Sequence, residues 1–289
     1  MGKKILITGI TGFLGKRVAA HFREGYELLM PAHEELDITN QSWVEQYFHQ
    51  HRPDVVIHCA AVSDIGVCEQ NPESSRLINV TGSENIARAA KTIGAKCILC
   101  SSDQVYTGGC QRTPHEEEEV LSPVNGYGRQ KAEAEQNCLR LNPDCILLRL
   151  TWMYDPVDRG DRPRGDFVRI LTEGIQKKQK LVFSDQDYRG ITSAMEVARN
   201  MEHLFELPGG IYNFGSPNEK SVYETAKEVL ERLDLDTELV IAKEDVPAIP
   251  RNLVMSQEKL NGYGLSFVPT VEGVYEAVKL SLAFPDNID

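Results

Sequence analysis

In the stretch NGYGRQKAEAE, residues 125 to 135, a tyrosine stands four residues before a lysine, Tyr127 and Lys131. On a helix that spacing sets both side chains on one face, one turn apart, so both can act on the same molecule. A free phenol titrates near a pKa of about 10 and exchanges protons poorly at neutral pH. A neighbouring ammonium favours the phenolate and is expected to draw Tyr127 toward the working range. Upstream, CSSDQVY (100 to 106) closes an apolar run with the hydroxyl of Ser102 and the carboxylate of Asp103, although ordinary strand ends also favour Ser and Asp. The other charged residues of the tyrosine stretch, Arg129, Glu133 and Glu135, read as a solvated helix face.

A second group of residues is suited to a phosphate. TGITGFLG (8 to 15) follows a short apolar run and opens a helical pattern, with glycines spaced GxxGxxG. A turn of this kind lets the backbone approach a pyrophosphate, and the helix start supplies N–H donors and a favourable dipole. The same glycines also suit a ligand-free turn, so the motif gains weight from its place at the first βα turn of a chain that continues βαβ. Asp37 in ELDIT (35 to 39) either accepts from an adenine or caps the next helix. PAHEEL (31 to 36) has no arginine to receive a 2′-phosphate, which favours NAD over NADP, with Lys16 and Arg17 as the compensating cations. HCAA (58 to 61) ends a third run in small residues that leave room for a cofactor, and His58 reads as a strand-end or core histidine.

These groups need a scaffold that brings run ends and helix starts together. Apolar runs rich in Ile, Val and Leu (4 to 8, 26 to 30, 54 to 59, 96 to 102, 144 to 150) alternate with helical patterns from about Phe13, from about Ser42, over 72 to 94, and over the tyrosine stretch. Runs apolar on both faces and separated by helices predict a parallel sheet covered on each side, a doubly wound α/β fold of the Rossmann type. Such folds place ligands at the carboxyl edge of the sheet. The expected division is a dinucleotide-binding domain over 1–155 and a smaller C-terminal substrate lobe over 156–289, with segments at about 180–215 returning to the first domain. In the second half a helix over 193 to 206, a strand over 210 to 215 and a helix over 221 to 233 are expected, then a tail broken by prolines.

Composition narrows the function classes. The chain has 289 residues, 41% of them hydrophobic and 26% charged, which suits a compact globular protein. A net charge of -12 argues against binding a nucleic-acid backbone, which calls for a basic surface. No apolar run is long enough to span a bilayer, the glycines interrupt the N-terminal run that would otherwise resemble a signal peptide, and a cytoplasmic location is expected. Seven scattered cysteines read as reduced, buried thiols. Cys97 and Cys100 have CxxC spacing, but a strand points them to opposite faces, so no metal site is expected there.

Taken together, TGxxGxxG at 8 to 15, Ser102 and YxxxK at 127 to 131 resemble the extended branch of the short-chain dehydrogenase/reductases. More closely, the chain resembles the dTDP-4-dehydrorhamnose reductase family and its sugar-nucleotide-binding relatives, through LDIT, SSDQVY, LRLTWMY (148 to 154), GIYNF and PRNLVMSQEKL (250 to 260). The resemblance implies an NAD(P)-dependent reductase of a nucleotide-linked 4-keto-deoxysugar. Gly9, Thr11, Gly12, Phe13, Leu14 and Gly15 would hold the pyrophosphate side of the cofactor, Asp37 and Ile38 the adenine, and Ala60 and Ala61 its middle. Ser102, Tyr127 and Lys131 would form the catalytic set, with Lys131 also on the nicotinamide ribose. Asp103, Trp152 and Arg189 would contact the substrate, and a homodimer is an expected assembly.

Two departures from the family pattern concern the substrate. Gln104 stands where the reductases have tyrosine, and an arginine-rich segment, with Arg159, Arg162, Arg164 and Arg169, follows Trp152. That segment is either a mobile solvated loop or a counter-charge for a diphosphate. No Asp-Glu pair follows Ser102, as a sugar-nucleotide dehydratase would need. An epimerase with retained NAD uses the same three residues. A non-catalytic nucleotide-binding subunit is the other alternative, because VIHCAA and the SSD segment (101 to 103) also resemble the regulatory β subunit of methionine adenosyltransferase.

Overall fold

The computed structural model describes residues 2–109, 111, 113–155, 165–243 and 251–283. In chain order the first elements are β1 (Lys4–Thr8), α1 (Phe13–Phe22), β2 (Glu27–Leu29), α2 (Gln41–His51), β3 (Val55–His58), α3 (Ile65–Gln70) and α4 (Pro72–Arg76). A π-helical turn, Leu77–Gly82, leads into α5 (Ser83–Ile93), followed by β4 (Lys96–Ser102), a 3₁₀ turn at Asp103–Tyr106, α6 (Gly126–Leu141) and β5 (Ile146–Leu150). Then come β6 (Trp152–Tyr154), α7 (Phe167–Lys177), β7 (Leu181–Phe183), β8 (Asp187–Arg189), β9 (Ile191–Ser193), α8 (Ala194–Met201) and β10 (Gly210–Phe214). The last elements are α9 (Val222–Arg232), β11 (Val240–Ala242), β12 (Arg251–Leu253), α10 (Glu258–Asn261) and α11 (Thr270–Ala283).

The main sheet has six strands in the order β10-β5-β4-β3-β1-β2, and β1 pairs in parallel with both β2 and β3, as do β3 with β4 and β4 with β5. The chain winds outward from β1 to β2, then returns past β1 to β3 and continues the other way. The fold is therefore the doubly wound Rossmann-type sheet that the alternation of runs predicts, and its direction reverses between β1 and β3. Strands β1, β3 and β5 are buried almost throughout, which is why their sequences are continuous apolar runs instead of alternating ones. Leu6, Val56, Leu99 and Leu147 meet Ile86, Ala90, Val44 and Phe48 in the core on one side of this sheet.

Two compact units emerge. The first comprises Met1–Gly108, Val120–Leu150 and Ala198–Tyr212, and the second Gly109–Glu119, Thr151–Val197 and Asn213–Asp289. Within the second, three parallel strand pairs, β6 with β9, β7 with β11 and β8 with β12, accompany α7, α9 and α11. Their core gathers Tyr154, Phe167, Leu171, Ile191, Val229 and Val274. The helix expected over 72 to 94 is present as α4, the π turn and α5 in unbroken succession, with fully buried Asn79 inside the π turn. Arg159, Arg162 and Arg164 lie outside the described residues, and Arg169 sits on α7, ion-paired with Glu173 at 2.6 Å.

Candidate active site

The glycine turn follows β1 directly. Gly9 has φ of +70°, and a Cβ on it would lie 2.5 Å from the Ala60 nitrogen, so only glycine allows this turn to touch the end of β3. Gly12 is the N-cap of α1, where no side chain caps the helix and no acidic residue occupies the first turn. The N–H groups of that turn are thus left for a ligand. Between this turn and the segments after β2 and β3 is a cavity of about 390 Å³, at the point where the winding reverses.

Of the predicted cofactor residues, Gly9, Thr11, Gly12, Asp37, Ile38, Ala60 and Ala61 line this cavity. Phe13, Leu14, Gly15 and Lys131 are not among its lining residues. Gly15 lies under the turn, where a Cβ would collide with the Gly9 carbonyl, and Leu14 is buried in the core. Phe13 is covered by Arg17, whose guanidinium lies 4.3 Å from the ring centre and donates to the Phe13 carbonyl. Arg17, one of the two cations expected to compensate at a 2′-phosphate, is only 2% exposed. Asp37 does not cap α2, because Asn40 takes that role by accepting from the Trp43 N–H. Instead Asp37 accepts from the Thr39 hydroxyl and N–H, chiefly the former holding its carboxyl below the usual range.

The second cluster is built by β4, the 3₁₀ turn and α6. Asn125 caps α6 by accepting from the Gly128 N–H at 2.7 Å. Gly128 has no room for a side chain, since a Cβ would strike the Gln104 carbonyl, and this close approach carries the start of α6 onto the end of β4. As a result Tyr127, Lys131 and Ser102 come together: the Lys131 ammonium lies 5.8 Å from the Tyr127 ring centre, and the Ser102 hydroxyl, which accepts from the Gln104 N–H at 3.3 Å, acts on the Tyr127 phenol. Lys131 donates to the Cys100 carbonyl at 2.8 Å. Asp103 is buried and accepts from the Gln104 amide at 2.9 Å, while Asn125 donates to the other end of that amide at 3.3 Å. Gln104 therefore ties the carboxylate beside Ser102 to the cap of the helix that carries Tyr127.

The electrostatics correct one expectation. Burial, then the negative charge of Asp103, pushes the Tyr127 phenol up, and only Ser102 opposes them. Lys131 does not draw it toward neutrality, because burial lowers the lysine's own pKa and its ammonium is directed at the Cys100 carbonyl. Tyr127 consequently holds its proton across the neutral range. Glu135 is a second correction: it is 1% exposed instead of solvated, accepts from the Ser101 hydroxyl at 2.5 Å and pairs with Arg149 at 2.7 Å. Arg149 also donates to the Tyr106 hydroxyl at 2.5 Å, so this buried network locks α6 to β4 and β5 one turn beyond Lys131. Glu133 and Arg129 do lie at the surface.

One residue that sequence reasoning passed over shapes the site. Asn79 accepts from the Val62 N–H at 2.8 Å and donates to the Val62 carbonyl at 2.9 Å, holding the cavity wall after β3. Its amide also reaches Gln130 on α6 at 2.8 Å. The available signal was a lone polar residue on the apolar face of a helical pattern. His58 accepts or donates between Thr8 and Ser83, and burial pushes its pKa down to about 3, so it is a neutral core histidine as expected. In the second unit, Trp152 and Arg189 are brought together, the guanidinium 5.1 Å from the indole ring centre, while Phe167 packs against the indole at 5.4 Å. Among the described residues, no helix is long and apolar enough to cross a membrane and no acidic or Cys/His group could hold a metal.

Comparison with known proteins places this arrangement. The chain is 31% identical over 283 residues to the methionine adenosyltransferase 2 subunit beta of Xenopus tropicalis, covering 91% of this chain and 83% of that protein. It is 33% identical over 162 residues to the dTDP-4-dehydrorhamnose reductase of Mycolicibacterium smegmatis, covering 56% of this chain and 49% of that one. The crystal structure of dTDP-4-dehydrorhamnose reductase from Bacillus anthracis in complex with NADP superposes with a TM-score of 0.82 at 25% identity, over 95% of this chain and 97% of that one. The family model of the RmlD substrate binding domain matches residues 3–278. With a match of that extent and the Rossmann-type sheet beneath it, the chain belongs to the RmlD substrate-binding domain family.

Proposed function

We propose that the protein is an NAD(P)-dependent reductase of a nucleotide-linked 4-keto-deoxysugar. The observation that carries this reading is the convergence of Ser102, Tyr127 and Lys131, set by the close packing of the start of α6 on the end of β4, on a sheet edge that also holds a glycine-cradled cavity of about 390 Å³. The cradle fits a dinucleotide: the uncapped start of α1 suits its pyrophosphate, Asp37 and Ile38 its adenine, and Ala60 and Ala61 its middle. When bound, the reduced nicotinamide supplies the hydride. Tyr127 delivers its phenolic proton to the carbonyl oxygen, and Ser102 donates a hydrogen bond to that oxygen as charge develops. A raised phenol pKa suits this direction of reaction, because the donor must still hold its proton when the carbonyl is reduced. Lys131 fixes the end of β4 through the Cys100 carbonyl and would hold the ribose of a bound nicotinamide.

We assign Asp103, Trp152 and Arg189 to the substrate, with the second unit as the substrate lobe and Trp152 offering a flat surface held by Arg189 and Phe167. NAD is favoured over NADP, since among the described residues the cavity lining offers His33 but no Lys or Arg, and Arg17 is buried against Phe13. The likeness to the methionine adenosyltransferase β subunit, over more of the chain than the reductase match, supports a second reading, a regulatory nucleotide-binding subunit. The test incubates the purified chain with NADH or NADPH and a dTDP-4-keto-6-deoxysugar, following loss of nicotinamide absorbance. Turnover that falls by roughly 10²- to 10⁴-fold in Tyr127→Phe, with dinucleotide affinity retained, is the expected result. Activity unchanged in Tyr127→Phe refutes the mechanism, and dinucleotide binding without turnover of any sugar nucleotide favours the regulatory reading.

A further inference from the structure

We propose that Cys59 and Cys100 form a peroxide-oxidisable thiol pair at the edge of the dinucleotide cavity, able to close into a disulfide between the ends of β3 and β4. In the parallel register His58 faces Leu99, so the next residue of each strand, Cys59 and Cys100, stand side by side. Their sulfurs are 3.8 Å apart. A disulfide bond is about 2.05 Å long, so bond formation requires an approach of roughly 1.7 Å. Cys59 lines the cavity, and both thiols are half-buried, whereas Cys68, Cys97, Cys138 and Cys145 are buried.

The surroundings give the two sulfurs different roles. The two thiols share one hydrogen bond, and the Lys131 ammonium, held on the Cys100 carbonyl at 2.8 Å, favours the thiolate of Cys100 and holds that thiol below its ordinary range. The same hydrogen bond and burial push the Cys59 thiol up. Cys100 is thus the nucleophile and Cys59 the resolving thiol. In the first step the Cys100 thiolate attacks one oxygen of hydrogen peroxide, the O–O bond breaks, and the departing hydroxide takes a proton to become water, leaving a sulfenic acid. In the second step the Cys59 sulfur attacks the Cys100 sulfur, the S–O bond breaks, and the Cys59 proton leaves with the hydroxyl as a second water. The sulfurs together lose two electrons, which peroxide accepts.

Two parts of the site meet this bridge. Cys59 immediately precedes Ala60 and Ala61 in the cavity wall, and the Cys100 carbonyl holds the Lys131 ammonium. Drawing the two strand ends together displaces both, so oxidation is expected to weaken dinucleotide binding, a consequence that rests on the reading proposed above.

The full chain, reduced and then exposed to graded hydrogen peroxide, is alkylated, digested and analysed by mass spectrometry, with dinucleotide affinity measured before and after. The expected result is a Cys59–Cys100 cross-linked peptide that dithiothreitol reverses, absent from Cys59→Ser and from Cys100→Ser, with dinucleotide affinity lowered roughly tenfold or more in the oxidised chain. Both cysteines remaining alkylatable, or Cys100 passing to sulfinic acid with no cross-link, overturns the proposal. A cross-linked chain that binds dinucleotide as tightly as the reduced one overturns the coupling. A reduced chain that cross-links but binds no dinucleotide refutes the dinucleotide reading and leaves the thiol pair established.

Discussion

Alanine at two glycines of similar backbone geometry separates the dihedral from the close approach that the cofactor cradle depends on. Gly9 has φ of +70° and Gly94 has φ of +73°, so a side chain at either meets the same left-handed penalty of about 1–2 kcal/mol. At Gly94, which ends α5, a Cβ has nothing within 4 Å. At Gly9 it lies 2.5 Å from the Ala60 nitrogen, 2.7 Å from the Ala60 Cα and 2.7 Å from the Cys59 carbonyl carbon. Those atoms are backbone at the end of β3, a strand paired on both sides, so they yield little. Overpacking of this kind adds about 1–3 kcal/mol, which puts Gly9→Ala at about 2–5 kcal/mol. A chain of this size shifts its Tm by about 2–4 °C per kcal/mol. Thermal denaturation should therefore place Gly94→Ala a few degrees below wild type and Gly9→Ala clearly lower. Dinucleotide titration should show binding lost only in Gly9→Ala. Equal Tm shifts in the two variants, with dinucleotide binding intact in Gly9→Ala, would refute the idea that the turn is pressed against β3 to form the cradle.

Other expectations follow from the buried groups. Glu135→Leu leaves the Arg149 guanidinium without its carboxylate in the core, and chemical denaturation should register a loss of about 3–5 kcal/mol. The pair Glu135→Leu with Arg149→Met should recover much of that loss, and a double variant no better than the single one would show that the ion pair is not the cause. His58 is neutral in the fold with a pKa near 3, while the unfolded chain binds its proton near pH ~6.5. A depressed folded pKa means stability present above the unfolded value and lost as the pH falls, at up to about 1.4 kcal/mol per pH unit between those two values. His58→Gln should remove that slope between pH 6 and 4 in denaturation curves, and an unchanged slope would assign it to other groups.

The amphipathic spacing of the helix carrying Tyr127 shows where sequence reasoning stopped short. Tyr127, Lys131 and Glu135 recur at intervals of four, so all three belong on one face. The interval marks the first two as a working pair, while Glu135 reads as a solvated charge because its partner, Arg149, lies on a different element. A charge at a face position is ambiguous until a counter-charge is brought to it. Asn79 presents the same problem, since its value lies in two hydrogen bonds to Val62 that only folding creates.

What sequence alone determined was local and periodic: the continuous apolar runs of buried parallel strands, the glycine turn after β1, and the four-residue interval from Tyr127 to Lys131. These follow from chain geometry within one or two elements, where spacing dictates which side chains share a face. What tertiary structure decided was non-local: the phenol's retained proton, the burial of Arg17 and Glu135, and the assignment of Gly109–Glu119 to the second unit. Each depends on desolvation or on a partner far away in the chain. Burial and charge act through space, and no interval along the sequence encodes them.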